Sequence, residues 1–136
     1  MECIFCKIVR KEIPSSIVYE DKATLAFLDI SPLNKGHTLV IPKKHYETIM
    51  DIPESEMAGL AKAVRKVALG VKKATGAPGL NLTQNNGKEA EQLVPHAHFH
   101  VIPRFGGDGI ILSHHKKPYI GEEMDEMRKK ILDSIG

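Results

Sequence analysis

Short apolar runs bounded by turn-forming residues fill the first third of the chain. Ile17–Glu20 and residues 24–29 predict two strands that flank a turn, and residues 37–41 predict a third strand. Ahead of them, residues 3–12 predict a short helix. That helix must end before Pro14, because proline disfavours helical backbone at the residue preceding it.

A long helix is predicted next, because apolar residues recur there at spacings of three and four and so share one helical face. These residues are Met57, Leu60, Val64, Val67 and Val71. Asp51 and Glu54 are expected to cap the start of this helix, and Gly76 is expected to end it.

The second half of the chain predicts two more strands and a closing helix. The strands are expected at residues 79–83 and 96–103. The closing amphipathic helix is carried by Met124, Met127, Ile131 and Ile135. Several strands with one long helix among them predict an α+β fold: an antiparallel sheet of about five strands, one long helix and short terminal helices.

Composition narrows the class of protein. The 136 residues fit one domain, which we predict to span residues 1–136. The net charge of +2 comes from basic residues spread along the chain, so a nucleic-acid partner is not expected. The apolar runs are shorter than the roughly 18–20 residues of a membrane span, and no secretory signal is visible, so no membrane association is expected.

Both cysteines, Cys3 and Cys6, lie within the first six residues. A disulfide between them would close a very small loop, so we expect a reducing, cytoplasmic location. The pair is expected to act as free thiols or as metal ligands.

Farther along, His114 and His115 are interpreted as residues of an exposed loop.

The run His96-Ala97-His98-Phe99-His100 is the most informative segment. Side chains alternate in a strand, so the three histidines should face one side while Ala97 and Phe99 face the apolar layer. The simplest interpretation is a polar strand face that carries histidines without a function. Three histidines that alternate strictly with apolar residues make this interpretation a poor one. Clustered imidazoles otherwise hold a metal, or perform nucleophilic and acid–base chemistry.

This run resembles the signature of the histidine triad (HIT) superfamily, in which three histidines alternate with apolar residues. Further segments resemble its Hint-like branch in the same order: Cys3 to Ile8, Glu12-Ile13-Pro14, Ala26 to Ile30, Gly36 to Lys43 and Asn85-Asn86-Gly87. The match is strongest over residues 3–104, and residues 105–136 are expected to be variable.

The resemblance implies an adenosine 5′-monophosphoramidase-like hydrolase or transferase. Its substrate would be a purine nucleoside 5′-monophosphate derivative such as an adenosine phosphoramidate, with guanosine monophosphate tolerated as the nucleotide. His98 would attack the α-phosphate and form a covalent nucleotidyl-histidine. The resemblance also implies a homodimer and no catalytic cofactor.

Roles for other residues follow from the same resemblance. His100 would donate a hydrogen bond to the phosphate, and His37 would lie near the same phosphate. Asp29 would accept hydrogen bonds from both ribose hydroxyls. The base pocket would be lined by Ile13, Phe27, Leu28 and Ile30. The loop around the α-phosphate would contribute Asn85, Gln92 and Val94.

The cysteine pair resembles that of family members with a structural zinc, completed by the first triad histidine and by a histidine after the Ile-Pro turn. Here the implied ligands are Cys3, Cys6, His45 and His96. Such a closed site would have no open position for water, so the zinc would be structural. It would fix the strand that carries the nucleophile.

Two residues before the triad depart from the branch. Glu91-Gln92-Leu93-Val94 replaces the usual Gly-Gln-Ser-Val, so Leu93 cannot donate a hydroxyl hydrogen bond to the leaving group. A dinucleoside polyphosphate hydrolase, which expels a phosphate, is therefore an alternative. A zinc-stabilised nucleotide-binding or scaffold protein with little turnover is a second alternative.

Overall fold

Five antiparallel strands form one sheet, whose order is β1-β2-β3-β5-β4. The structure is a computed structural model that describes residues 2–111 and 117–135. The strands are β1 (Ile17–Glu20), β2 (Thr24–Leu28), β3 (Thr38–Pro42), β4 (Gly79–Gln84) and β5 (Phe99–Arg104). The helices are α1 (Ile4–Val9), α2 (Glu54–Thr75) and α3 (Glu123–Ser134).

The two faces of the sheet are covered by different helices. On one face, α2 packs its buried apolar stripe against alternate strand residues such as Ala26, Val40 and Val101. On the other face, Phe5 and Ile8 of α1 pack on a second set of strand residues, which comprises Leu25, Phe27, Leu39 and Ile41. The strict alternation of β2 and β3 between these two cores explains why both strands are almost entirely buried.

The predicted α+β fold is confirmed, including the antiparallel five-stranded sheet and the single long helix. The predicted cap of α2 is wrong for Asp51. Its carboxylate accepts hydrogen bonds from the backbone N–H and hydroxyl of Thr48 and so closes a short 3-10 turn at Ile49–Asp51. Glu54 is the first residue of α2, and Gly76 ends it with a left-handed φ of 70°.

The last strand begins later than predicted, at Phe99 rather than at residue 96. The backbone N–H of Ala97 donates to the carbonyl of Tyr46, at 2.7 Å, and that of His96 donates to Val94, at 2.8 Å. These bonds take the place of a strand ladder. His96 and His98 are therefore held by loop contacts, while His100 lies within β5.

The closing helix forms as α3, and all of its side chains are exposed. Its apolar positions, Met124, Met127 and Ile131, face solvent in the single chain. His114 and His115 lie outside the described residues. Within the described ranges, no helix combines the length and apolar character needed to cross a membrane.

Candidate active site

The three histidines of the triad lie on the α1 face of the sheet. His100 pairs with Leu39, which belongs to the α1-side core, whereas the neighbouring Phe99 pairs with Val40 on the α2 side. The aromatic rings of His98 and His100 are in edge contact, with centroids 4.9 Å apart. The predicted common direction of the histidines is therefore retained, although the segment before Phe99 is not a strand.

His98 is buried, and its ring orientation is fixed by its own backbone. Its Nδ1–H donates to the carbonyl oxygen of His96, at 2.8 Å. A neutral imidazole with its proton on Nδ1 has its lone pair on Nε2, the atom that can attack phosphorus. The edge of the His98 ring also packs on Phe5, with centroids 5.2 Å apart.

A chain of hydrogen bonds sets the tautomers of the other two site histidines. The backbone N–H of Leu33 donates to Nδ1 of His37, at 3.1 Å, so neutral His37 carries its proton on Nε2. Nε2 of His37 lies 2.9 Å from Nδ1 of His100, and the Nε2–H donates a hydrogen bond to that nitrogen. His100 is consequently left with its own proton on Nε2, as a hydrogen-bond donor.

Both of these histidines are held in the neutral state. Burial lowers the pKa of His100 to about 4, and the neighbouring His98 and His37 add to the shift. Burial also lowers the pKa of His37, against the opposing attraction of Asp29. The pair therefore contributes a fixed neutral donor at pH 7.

Asp29 lies at the end of β2, beside His37. Its Oδ1 accepts a hydrogen bond from the backbone N–H of Ser31, at 2.8 Å, and its Oδ2 lies 3.7 Å from Nε2 of His37. The backbone N–H of Asp29 donates to the carbonyl of His37, at 2.9 Å. The carboxylate is partly exposed and keeps accepting capacity for an incoming donor.

The residues predicted to line a base pocket are divided by the sheet. Phe27 is buried on the α1 face in edge contact with Phe5, and Ile13 packs against the same core. Ile30 is 98% exposed. The side chain of Leu28 faces the other side of the sheet, where it lines a cavity of about 330 Å³ beside α2. The structure thus separates the Leu28 side chain from His98.

The loop before the triad is braced by Gln92. Its Oε1 accepts from the N–H of Gly87, at 2.7 Å, and its Nε2 donates to the carbonyls of Glu47 and Val94. The amide of Gln92 is thereby committed to holding the loop. Val94 packs against the α1-side core, and Asn85 donates to the carbonyl of Glu91.

The two departures from the family pattern have distinct structural settings. Glu91 adopts a φ of 65°, a left-handed conformation that glycine adopts without strain, so the usual glycine suits this position. The side chain of Leu93 is 90% exposed. Leu93 therefore contributes little to packing.

A second cluster joins α1 to the start of the triad. The ligand atoms of Cys3, Cys6, His45 and His96 all lie within 4.8 Å of one another. Nδ1 of His96 lies 3.4 Å from Sγ of Cys3 and 3.7 Å from Sγ of Cys6, and Nδ1 of His45 lies 3.4 Å from Sγ of Cys6. Tetrahedral zinc with ordinary bond lengths places sulfur and nitrogen ligands about 3.6 Å apart.

The tautomer of His96 also fits a metal ligand. Its Nε2–H donates to the carbonyl of Pro42, at 2.8 Å, which leaves the lone pair on Nδ1 directed at the thiols. Two sulfur and two nitrogen donors are a common structural zinc set. The residues present therefore fit this metal.

Asp29, His37 and His100 form another group with metal-ligating atoms close together. A metal on Nε2 of neutral His37 would require a proton on Nδ1, where the N–H of Leu33 already donates. We therefore interpret this group as a hydrogen-bond relay and not as a metal site.

Sequence reasoning missed several groups that position the site. The backbone N–H of Leu33 and the carbonyls of Pro42 and Tyr46 leave no trace in residue identity, because every residue offers such groups. Phe5 lies within the N-terminal motif, where an apolar residue indicates no role in the site, yet its ring contacts both His96 and His98.

The HIT domain family matches residues 10–107. An uncharacterized HIT-like protein of Methanocaldococcus jannaschii is 49% identical over 129 residues, which cover 95% of this chain and 98% of that protein. An adenosine 5′-monophosphoramidase of Schizosaccharomyces pombe is 40% identical over 136 residues, with 99% of each chain covered.

Solved structures show the same similarity. A HIT family protein from Bacillus subtilis superposes with a TM-score of 0.90 at 40% identity and covers 100% of this chain and 99% of its own. A zinc-bound histidine triad family protein from Mycobacterium smegmatis superposes with a TM-score of 0.76, also at 40% identity, with 100% and 99% covered.

Proposed function

This chain belongs to the HIT domain family, and from that premise we propose that it is a nucleotide hydrolase. The proposed substrate is a purine nucleoside 5′-monophosphate derivative, with adenosine phosphoramidate as the representative and the guanosine analogue tolerated. The phosphoramidase from Schizosaccharomyces pombe supports the adenosine substrate class. One observation carries the proposal: His98 donates Nδ1–H to a carbonyl and thereby frees Nε2.

In the first proposed step, the Nε2 lone pair of His98 forms a bond to the α-phosphorus as the bond to the leaving group breaks. The Nε2–H of His100 donates to a non-bridging oxygen, where negative charge grows in the transition state. The departing amine needs a proton, and Leu93 has none to give. Solvent is therefore the proton source for an amine leaving group.

In the second proposed step, the oxygen of a water molecule bonds to phosphorus as the phosphorus–nitrogen bond breaks, and the water loses a proton to solvent. This step releases the nucleoside monophosphate and regenerates neutral His98. His37 maintains the tautomer of His100 throughout, because it donates to Nδ1 of that ring. The carboxylate of Asp29 accepts hydrogen bonds from the two ribose hydroxyls and so orients the nucleotide. Phe27, Ile13 and Ile30 are proposed to contact the base, Asn85 to contact the phosphate, and the backbone of Val94 to border it.

We also propose a structural zinc at Cys3, Cys6, His45 and His96. The ligand spacing supports it, and the similar protein from Mycobacterium smegmatis is zinc-bound. A four-ligand zinc supplies folding free energy and rigidity, and it takes no part in bond cleavage. We also propose a cytoplasmic, reducing location, in which both cysteines stay reduced and available to the metal.

A homodimer is proposed from surfaces that the single chain leaves uncovered. Strand β4 is an edge of the sheet, and its Leu82 is 52% exposed. The apolar stripe of α3 is also exposed. A second copy could cover either surface. Light scattering at several concentrations measures the assembly state, and a monomer throughout would refute the proposal.

Residues 1–136 are proposed to act as one HIT domain.

The exposed side chain of Leu93 favours a second candidate, the dinucleoside polyphosphate hydrolase. A phosphate leaving group departs as a stable anion and does not need the hydroxyl that Leu93 lacks. The site does not support the scaffold alternative. Nucleotide binding alone does not require His98 with a free Nε2 or His100 fixed as a hydrogen-bond donor.

The nucleophile is tested by rapid quenching with an adenosine phosphoramidate labelled in the adenosine. We expect covalent label on the wild-type protein and no label on His98→Ala. His37→Gln serves as the matched control, since it keeps His98 and should still be labelled, more slowly. Equal labelling of His98→Ala, or unlabelled wild type with both substrate classes, would overturn the proposed mechanism.

A further inference from the structure

Asp108 lies immediately after the last residue of the family match and is nevertheless among the most tightly held carboxylates of the chain. Its side chain is 8% exposed and accepts five hydrogen bonds. The donors are Nε and Nη2 of Arg104, the backbone N–H groups of Phe105 and Ile110, and Nδ2 of Asn34. A carboxylate with that many partners fixes whatever it binds.

Asn34 connects this carboxylate to the loop that precedes His37. Its Nδ2 donates both to Oδ2 of Asp108, at 3.0 Å, and to the carbonyl of Pro103, at 2.8 Å. Its own carbonyl accepts from the backbone N–H of His37, at 3.0 Å. Asn34 therefore joins the end of β5 to the backbone of His37.

The residue before Asn34 sets the tautomer of His37. The N–H of Leu33 reaches Nδ1 of His37 only while the loop keeps its present path. His37 in turn donates to Nδ1 of His100, whose remaining N–H is the proposed donor to the phosphate. The path from Asp108 to His100 thus passes through Asn34, Leu33 and His37, by three hydrogen bonds and the peptide bond between Leu33 and Asn34.

We propose that Asp108 is a positioning residue: by clamping Asn34, it holds the Leu33 N–H on His37 and thereby keeps His100 as a hydrogen-bond donor. The kinetic part of this proposal rests on the proposed function, whereas the tautomer part is independent of any activity. Asp108 itself touches neither His37 nor the proposed substrate.

The deciding experiment is a long-range proton–nitrogen NMR correlation on protein with ¹⁵N-labelled histidine. In the wild type we expect unprotonated Nδ1 and protonated Nε2 on both His37 and His100. Asp108→Asn places an amide against the donors, and Asn34→Ala removes the bridge. Each should raise the Nδ1–H fraction of His37 roughly fivefold, since one hydrogen bond is lost.

The matched control is Asn81→Ala, which removes the contact of Asn81 with Nη1 of Arg104 and leaves Asn34 and Asp108 paired. It should destabilise the same region and leave the tautomers unchanged. Turnover should fall by up to about fivefold in kcat for Asp108→Asn, with a smaller change in KM, because the donor form of His100 acts on the transition state and its population falls by no more than the tautomer ratio changes.

The outcomes separate cleanly. Wild-type tautomers in both Asp108→Asn and folded Asn34→Ala overturn the proposal, as does an equal tautomer change in Asn81→Ala. If Asp108→Asn does not fold, Asn34→Ala decides alone, because it leaves the carboxylate paired with Arg104. Wild-type protein that turns over neither substrate class refutes the proposed function, while the NMR result still decides the tautomer proposal.

Discussion

His96 orients the nucleophile and faces the thiols at the same time. Its carbonyl oxygen accepts from Nδ1 of His98 at 2.8 Å, while its own Nδ1 lies 3.4 Å from Sγ of Cys3. Its Nε2–H is anchored on Pro42. The position of the proposed nucleophile is therefore coupled to the proposed metal cluster through one residue.

Removal of the zinc should destabilise the protein and reduce its activity. We expect about one zinc per chain, and loss of a structural metal costs several kcal/mol, which lowers Tm by about 10 °C or more. Metal analysis and thermal unfolding before and after chelation measure both effects. Zinc should restore Tm and magnesium should not. Metal-free protein after purification, with Tm insensitive to chelator, would contradict the site.

Leu93→Ser should change the preferred leaving group. A hydroxyl at this exposed position can donate to a departing amine, so phosphoramidate turnover should rise roughly tenfold or more, toward the roughly 10²–10⁴-fold typical of general acid catalysis. Turnover of a dinucleoside tetraphosphate should change much less. Leu93→Ala shortens the side chain without a hydroxyl and is the matched control. An equal gain in Leu93→Ala would attribute the effect to space alone.

Asp29→Asn should weaken the binding of nucleotides that carry ribose hydroxyls. Hydrogen bonds to a charged group contribute about 1.5–3 kcal/mol, so the Kd for adenosine monophosphate should rise by roughly 10- to 150-fold. The Kd for the 2′,3′-dideoxy nucleotide should stay nearly the same in wild type and variant. Asp21→Asn, which removes a carboxylate in the β1–β2 turn, controls for net charge. Calorimetry measures both nucleotides with wild type and with each variant, and an equal loss for both nucleotides in Asp29→Asn would refute the ribose contact.

Acid should destabilise the fold through His100. Its pKa is lowered to about 4 in the folded chain, against an unfolded value of about 6.5. Between these values the unfolded state binds more protons, so stability falls as pH falls through this window. From pH 7 to pH 5 the loss from His100 should be about 2 kcal/mol.

Denaturant unfolding of wild type and His100→Gln at both pH values isolates this contribution. The variant should lose about 2 kcal/mol less than the wild type over the same interval, since other titrating groups are common to both. Equal losses in the two proteins would show that His100 is not held neutral by the fold.

The sequence was sufficient for those features that depend on local periodicity. The three- and four-residue spacing from Met57 to Val71 predicted α2, and the alternation around His98 predicted which side chains share a face. Family resemblance grouped the four proposed cysteine and histidine ligands, which are up to 93 residues apart, and the structure brings these residues together.

The remainder depends on long-range backbone contacts that residue identity does not encode. β5 starts at Phe99 because Ala97 bonds to Tyr46, and Asp51 closes a turn because Thr48 precedes it in an extended conformation. Leu28 followed the family pattern in sequence, yet the pleat of β2 directs its side chain to the opposite face from Phe27.

The alternation from His96 to Val101 also constrains how this segment can change in length. One inserted or deleted residue would exchange the two faces, so that imidazoles would enter the core beside α2 and apolar side chains would replace them at the proposed phosphate site. Substitutions at Ala97 or Phe99 act on packing, whereas those at His98 or His100 act on the proposed chemistry and, through their packed rings, on stability as well. The segment should therefore accept point changes on either face far more readily than any frame-preserving insertion or deletion of a single codon.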